Sequence, residues 1–256
     1  MLEYGRLFSR SPLNFYHKVF KLYIDLSMLS CKRLPVQVRP NPLNLGVYMS
    51  TSAIYDALKG RRSISKYLQK SIPNVVLRRV LDAARWAPSA HNAQPWRFIV
   101  IHDLTVKRKL AEAMAGEWNK DLLKNEVPSD EREHLIKASV ETFTSPPALI
   151  VACLTMEDMD KYPDKRRRKA EYLMGVQSVA AAIQNILLAA YAEGLGTCWF
   201  CAPLFCQETV KEVLRLPKNV EPQALITIGY SAERPKAPPR KPLKSILHRN
   251  YWEETK

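Results

Sequence analysis

The sequence predicts an α+β fold, a small central sheet covered by helices on both faces. Two observations predict it. Runs of strand length, Trp96 to Ile101, Pro147 to Leu154, Leu195 to Phe200 and Ala224 to Tyr230, are separated by stretches whose apolar residues recur at helical spacing. A length of 256 residues also suits one sizeable core and is short for two.

Residues 1–50 read apart from the rest. An aromatic and basic stretch, Phe15 to Tyr23, precedes a run holding Pro35, Pro40 and Pro42, which gives an N-terminal arm followed by one domain over residues 51–256. A short helix from about Ser52 to Lys59 stops at Gly60. After Pro73, the residues Val76, Leu77, Val80, Leu81 and Ala84 put one apolar face on a helix that must end by Pro88. The charged stretch from Leu104 to Thr144 is helical in pattern and broken by Pro128, as suits a mobile cover or a plain surface helical pair. A basic run, Lys165 to Lys169, precedes a helix from Glu171 to Ala192 that is apolar nearly all round, as a central buried helix is, and Gly194 closes it. A helix from Gln207 to Leu214 lies between the last two strands. Pro235, Pro238, Pro239 and Pro242 then keep the tail extended, so that it can cross the surface of a partner subunit.

Composition narrows the function classes. With 46% hydrophobic and 25% charged residues the chain is not disordered, and 39 Lys and Arg against 25 Asp and Glu, a net charge of +14, favour acidic partners. No uninterrupted apolar stretch reaches the roughly 18 to 20 residues of a membrane span. His17, Lys18, Lys21 and Asp25 interrupt the only early apolar block, so no secretion signal is expected. Five cysteines, at positions 31, 153, 198, 201 and 206, lack framework spacing and suit thiols kept reduced in the cytoplasm.

Chemistry concentrates in two segments. Arg61-Arg62-Ser63-Ile64-Ser65 sets two guanidinium forks beside two hydroxyls, a donor set for a phosphate and a neighbouring polyol; a solvated arginine pair after a helix is the plain alternative. Ala87-Pro88-Ser89-Ala90-His91-Asn92-Ala93-Gln94-Pro95-Trp96 is a stiff loop in which Ser89 and Asn92 can meet a heteroaromatic edge bearing carbonyl and imide groups; an Asx-type turn with Trp96 in the core is its alternative. Cys198-Trp199-Phe200-Cys201 has dithiol spacing, yet no helix starts after Cys198 and no second pair completes a zinc site, so packing is favoured. The histidines at 17, 91, 102, 134 and 248 show no metal-ligand spacing, and His91 reads as structural, so neither a metal nor a catalytic acid or base is expected.

Arg61 to Ser65 ahead of the APS-x-x-N-x-QPW pattern at Ala87 to Trp96 resembles the FMN-binding nitroreductase superfamily. Gly194-Leu195-Gly196-Thr197-Cys198-Trp199 resembles the strand after that family's central helix, and Arg240-Lys241-Pro242-Leu243 its C-terminal phosphate-binding tail. The resemblance implies a nitroreductase-like fold in an intertwined homodimer with exchanged C-terminal tails. It implies FMN as cofactor, with Arg61, Arg62, Ser63 and Ser65 at the phosphate and ribityl chain and Arg240 joining at the phosphate. Pro88, Ser89 and Asn92 approach the ring from the partner subunit, and the loop Phe200, Cys201 and Ala202 aims a backbone N–H at flavin N5. Ser65 is a departure, since many members carry a third arginine there; Lys66 follows it and offers a charge.

The implied reaction is hydride transfer from NAD(P)H to the flavin and on to a small organic acceptor, aromatic or anionic, such as a nitroaromatic or quinone, with no protein acid or base required. Two further readings stand beside it. The Gly194 to Trp199 run also resembles the nitroreductase-like domain attached to ligases of the deazaflavin coenzyme, which implies a reductase of a deazaflavin-type coenzyme or its precursor. A basic nucleic-acid- or membrane-binding protein without redox activity would use the +14 charge and the Lys165 to Lys169 run. No aromatics interleave with that run and no groove-entering motif is present, so neither nucleic acid nor stable membrane insertion is expected.

Overall fold

Each of the strand-length runs forms a strand in the computed structural model, which describes residues 51–252. The arm expected over residues 1–50 lies outside the described residues. The strands are β1 (Trp96–Ile101), β2 (Ala148–Thr155), β3 (Gly196–Phe200) and β4 (Val220–Gly229), in the order β1-β2-β4-β3 with every neighbouring pair antiparallel. All eight residues of the central β2 are buried, which explains why its sequence is a continuous apolar run and not an alternation.

Period-2 geometry sends successive β2 residues to opposite faces, and helices cover both. On one face α2 (Asn74–Ala84) and α5 (Lys165–Ala192) bring Leu77, Val80, Ile183 and Ile186 onto Ile150, Leu154, Ile226 and Ile228. On the other, α3 (Leu104–Lys124), α4 (Ser129–Thr144) and α6 (Gln207–Leu214) bring Leu110, Phe143 and Val210 onto Leu149, Val151 and Leu225. Asp103 starts α3 by accepting the Val106 N–H at 2.9 Å, and Pro128 separates α3 from α4.

Helix α5 begins six residues earlier than its apolar pattern suggests. The Asp164 side chain accepts the Arg167 N–H at 2.9 Å, so the basic run Lys165 to Lys169 forms the first turns of the helix and not its approach. At the far end Gly194 takes φ 74°, and the Leu195 N–H reaches the Ala190 carbonyl at 2.8 Å in a Schellman closure. Among the described residues α5 is the one helix long and apolar enough to cross a membrane, which the absence of an uninterrupted run had not led us to expect. Its apolarity serves the core: Val179, Ala182, Ile183, Ile186 and Ala190 are buried against the sheet and α2.

Helix α1 (Thr51–Gly60) leads into a segment that extends the sheet beyond β3. Ser63 pairs in parallel with Thr197, the Ile64 N–H donates to the Thr197 carbonyl at 2.9 Å, and Tyr67 pairs with Ser231. The closeness depends on Gly196, where an added Cβ would lie 2.8 Å from Ile64 Cγ1. Past residue 232 the proline-rich tail is extended and exposed, with one short 3-10 turn at Leu243–Ser245.

Candidate functional site

The pairing of residues 63 and 64 with β3 places two guanidinium groups at the head of that strand. Arg62 turns its Nη1 back onto the Lys59 and Arg61 carbonyls, at 2.5 and 2.7 Å, and so satisfies the end of α1. The Arg61 guanidinium makes no hydrogen bond among the described residues, although its backbone N–H donates to the Ala57 carbonyl at 3.0 Å. Burial holds the Cys198 thiol above its ordinary range, outweighing a hydrogen bond from Ser63 and the smaller effect of the Arg61 charge, which both act to lower it. Arg61, Arg62, Tyr191, Thr197, Glu233 and Arg234 help to line a depression of about 370 Å³.

Ser65 is engaged within the chain. Its N–H (2.6 Å) and hydroxyl (3.0 Å) and the Lys66 N–H (3.0 Å) all reach Oε1 of Glu233. The Ser65 N–H is the main reason the Glu233 carboxyl lies below its usual range. This clasp fastens the start of the tail to the arginine segment. Arg240, farther along the tail, is exposed and makes no hydrogen bond to that segment among the described residues.

The other end of β3 opens into a larger cavity. Phe200, Cys201 and Ala202 line a space of about 720 Å³ closed by Trp118 of α3, Phe143 of α4 and Phe205. Phe143 meets Phe200 edge to face at 5.1 Å, and Glu117 and Asp121 supply the carboxylates of the lining. From Thr197 to Phe200 is roughly 10 Å at ~3.3 Å per residue, so the depression and the cavity adjoin the same strand. Cys198 and Cys201 are free thiols, as are Cys153 and Cys206.

Pro88, Ser89 and Asn92 are not brought to this strand. Their loop precedes β1, the opposite edge of the sheet, three strand spacings or roughly 14 Å away. The loop is strained and pinned. His91, Asn92 and Gln94 have φ of 54°, 54° and 49°, while the Ala90 N–H donates to Ser178 Oγ of α5 at 3.2 Å and the Gln94 N–H to Ser89 Oγ at 3.1 Å.

A further constellation under this loop escaped the sequence reading. His91 Nε2 lies 3.6 Å from Oε1 of Glu171, whose side chain is 1% exposed, and 3.7 Å from Oδ2 of Asp160. The three residues come from separate segments with no motif spacing, so only the folded chain brings them together.

Comparison with known proteins bears on the whole arrangement. Residues 58–230 match the model of the nitroreductase family. A protein of Methanothermobacter thermautotrophicus, provisionally named an NADH dehydrogenase/NAD(P)H nitroreductase, is 32% identical over 73% of this chain and 82% of its own length. The NADH dehydrogenase of Thermus thermophilus is 31% identical over 75% of this chain and 92% of its own. Among solved structures, the NADPH:FMN oxidoreductase of Vibrio harveyi complexed with NAD+ shares the fold, with a TM-score of 0.60 at 22% identity over 80% of each chain.

Proposed function

The chain belongs to the nitroreductase family, and from that premise we propose that it is an FMN-dependent oxidoreductase passing a hydride or electron pair from NADH or NADPH to a small aromatic acceptor. The observation that carries this reading is the seating of Arg61 to Ser63 along β3, a strand with charged donors at its head and an apolar cavity at its foot.

The residues present fit an FMN. Arg61 has an uncommitted guanidinium fork, Ser63 a hydroxyl beside it, and on the same strand the buried Trp199 Nε1 has no acceptor among the described residues. When bound, FMN supplies the centre that accepts and releases the hydride. The protein's part is binding, orientation and exclusion of water. Arg61 and Ser63, with Arg240 brought in by a partner subunit's tail, would hold the phosphate, and the Phe200 to Ala202 backbone would face the ring. Trp118, Phe143 and Phe205 give the cavity flat apolar walls, while Glu117 and Asp121 disfavour an anionic acceptor.

A homodimer completes the site in this reading. Ser89 and Asn92 sit on the far edge of the sheet and reach the flavin only from a second copy. Ile54, Tyr55 and Leu58 of α1 and Leu243, Ile246 and Trp252 of the tail are exposed apolar groups suited to burial in such an interface. A nucleic-acid role has less support, because Arg167 and Arg168 of the basic run are engaged with Asp164 and the Pro163 carbonyl at the start of α5. A cytoplasmic location accords with the free thiols.

Fluorescence titration tests the reading. The parent protein should quench added FMN, and Arg61→Ala and Arg240→Ala should each weaken FMN by about ten- to a hundredfold, since a charged hydrogen bond contributes about 1.5 to 3 kcal/mol. Riboflavin, which lacks the phosphate, should bind variants and parent alike. A parent that ignores FMN, or variants that bind it as the parent does, would overturn the assignment.

A further inference from the structure

We propose that His91, Asp160 and Glu171 form a binding site for one divalent transition-metal ion of borderline softness, with zinc the best match. The proposal does not rest on flavin binding.

The spacing of the donors is the first argument. His91 Nε2 stands 3.6 Å from Glu171 Oε1 and 3.7 Å from Asp160 Oδ2, and one ligand atom from each residue lies within 4.8 Å of the other two. These two separations exceed hydrogen-bond reach. They lie at or about 0.1 Å beyond the upper end of the edges of a tetrahedron, about 3.3 to 3.6 Å for metal–ligand bonds of roughly 2.0 to 2.2 Å, so a small inward movement of the exposed Asp160 would complete the geometry.

The second argument is an unmet electrostatic demand. Glu171 projects from the second turn of α5, is 1% exposed, and accepts a single hydrogen bond, from the Asp160 N–H to Oε1 at 3.1 Å. Its Oε2 is buried and has no hydrogen-bond partner among the described residues. No lysine or arginine pairs with it among the described residues. A buried carboxylate with one neutral donor is costly unless a cation completes its surroundings. The carboxylate faces the place where the histidine and aspartate donors converge.

The third is that the backbone is strained to deliver the histidine. His91 holds φ 54°, a conformation that side-chain-bearing residues adopt at a cost, and the Ala90 N–H bond to Ser178 fixes the loop over the helix that carries Glu171. Asp160, 57% exposed, stands at the mouth, where the Tyr162 hydroxyl donates to its Oδ2 at 3.5 Å. Solvent therefore reaches one side of the donor set, which gives an entry path and room for water ligands. One imidazole and two carboxylates suit zinc and its neighbours better than calcium or magnesium, which favour all-oxygen sites, and better than soft cuprous ion. A bound ion would join the loop before β1, the loop after β2 and α5 at one point.

The test uses the full chain, stripped with EDTA and then freed of it. Zinc titrated in competition with a chromophoric chelator should bind one ion per chain. Glu171→Gln and His91→Ala should each weaken that site at least tenfold, while His102→Ala and His134→Ala, at exposed positions elsewhere, should leave it unchanged. Zinc in hundredfold excess over its Kd should also raise the parent's Tm by several degrees and that of His91→Ala by no more than about half as much. His91 lies on a loop, so its variant carries the test even where Glu171→Gln does not fold. Absence of stoichiometric zinc binding, equal affinity in parent and ligand variants, or equal competition by magnesium would each overturn the proposal.

Discussion

Ser65, the position at which the resemblance implied an arginine, has other work in the structure. Its N–H and hydroxyl converge on one oxygen of Glu233. The sequence marked the departure but not its partner, because Glu233 follows 168 residues later and belongs to no motif. Burial has a measurable consequence at another single residue. Cys153, fully buried on β2, has its thiol pushed up to about 12 from an ordinary 9.0 by desolvation. Below pH 9 the folded and unfolded chains both keep that proton, and stability is independent of it. Above pH 9 the unfolded chain releases the proton while the folded chain holds it, so stability falls by about 1.4 kcal/mol per pH unit until the folded thiol ionises. Tyr67 is raised by burial too and adds to the alkaline loss. Urea unfolding of the parent and of Cys153→Ala between pH 9 and 11 should therefore give a shallower decline for the variant, by about 1 kcal/mol per unit. Parallel declines would show that the thiol plays no such part.

Among the elements, the strands were the most legible, since four runs of apolar and β-branched residues bounded by turns leave little choice of conformation. The start of α5 was hidden because Lys165 to Lys169 reads as a solvated run until Asp164 is seen to cap it. The short pairing of Ser63 with Thr197 was hidden as well, since a bridge one residue long leaves no periodic trace. That bridge makes Gly196 a test of how β3 organises the site. In Gly196→Ala the new methyl would lie 2.8 to 3.0 Å from three Ile64 side-chain atoms, and the segment must move off the strand. We expect a loss of about 1 to 3 kcal/mol in urea unfolding, as for overpacked cores. FMN affinity by fluorescence quenching should fall at least tenfold while far-UV dichroism is kept. Parent-like affinity would mean that the arginine segment need not touch β3.

For the molecule as a whole, the sequence disclosed the layers but not the separation of the proposed flavin contacts onto opposite sheet edges, which depends on the order β1-β2-β4-β3. The His91, Asp160 and Glu171 grouping was illegible for the same reason, since it needs the loop before β1 laid over α5. The separation predicts complementation between chains. Arg61→Ala and Asn92→Ala proteins, each nearly inactive alone at an FMN concentration that just saturates the parent, should on co-refolding give half heterodimers with one intact site each, and so roughly a quarter of parental activity. A mixture no more active than its components would mean that each chain builds its own site.

The clasp between Ser65 and Glu233 also sets an order of events during synthesis. Arg61 leaves the ribosome early, yet the strand it lies along and the carboxylate that fastens its segment arrive only with residues 196 to 233. Joining points 168 residues apart closes a long loop, and such a contact gains little until the intervening core has formed. Because β4, the last strand made, lies between β2 and β3, neither β3 nor the segment of Arg61 can join the sheet until it arrives, and a chain that stalls before residue 220 would hold only the β1–β2 pair.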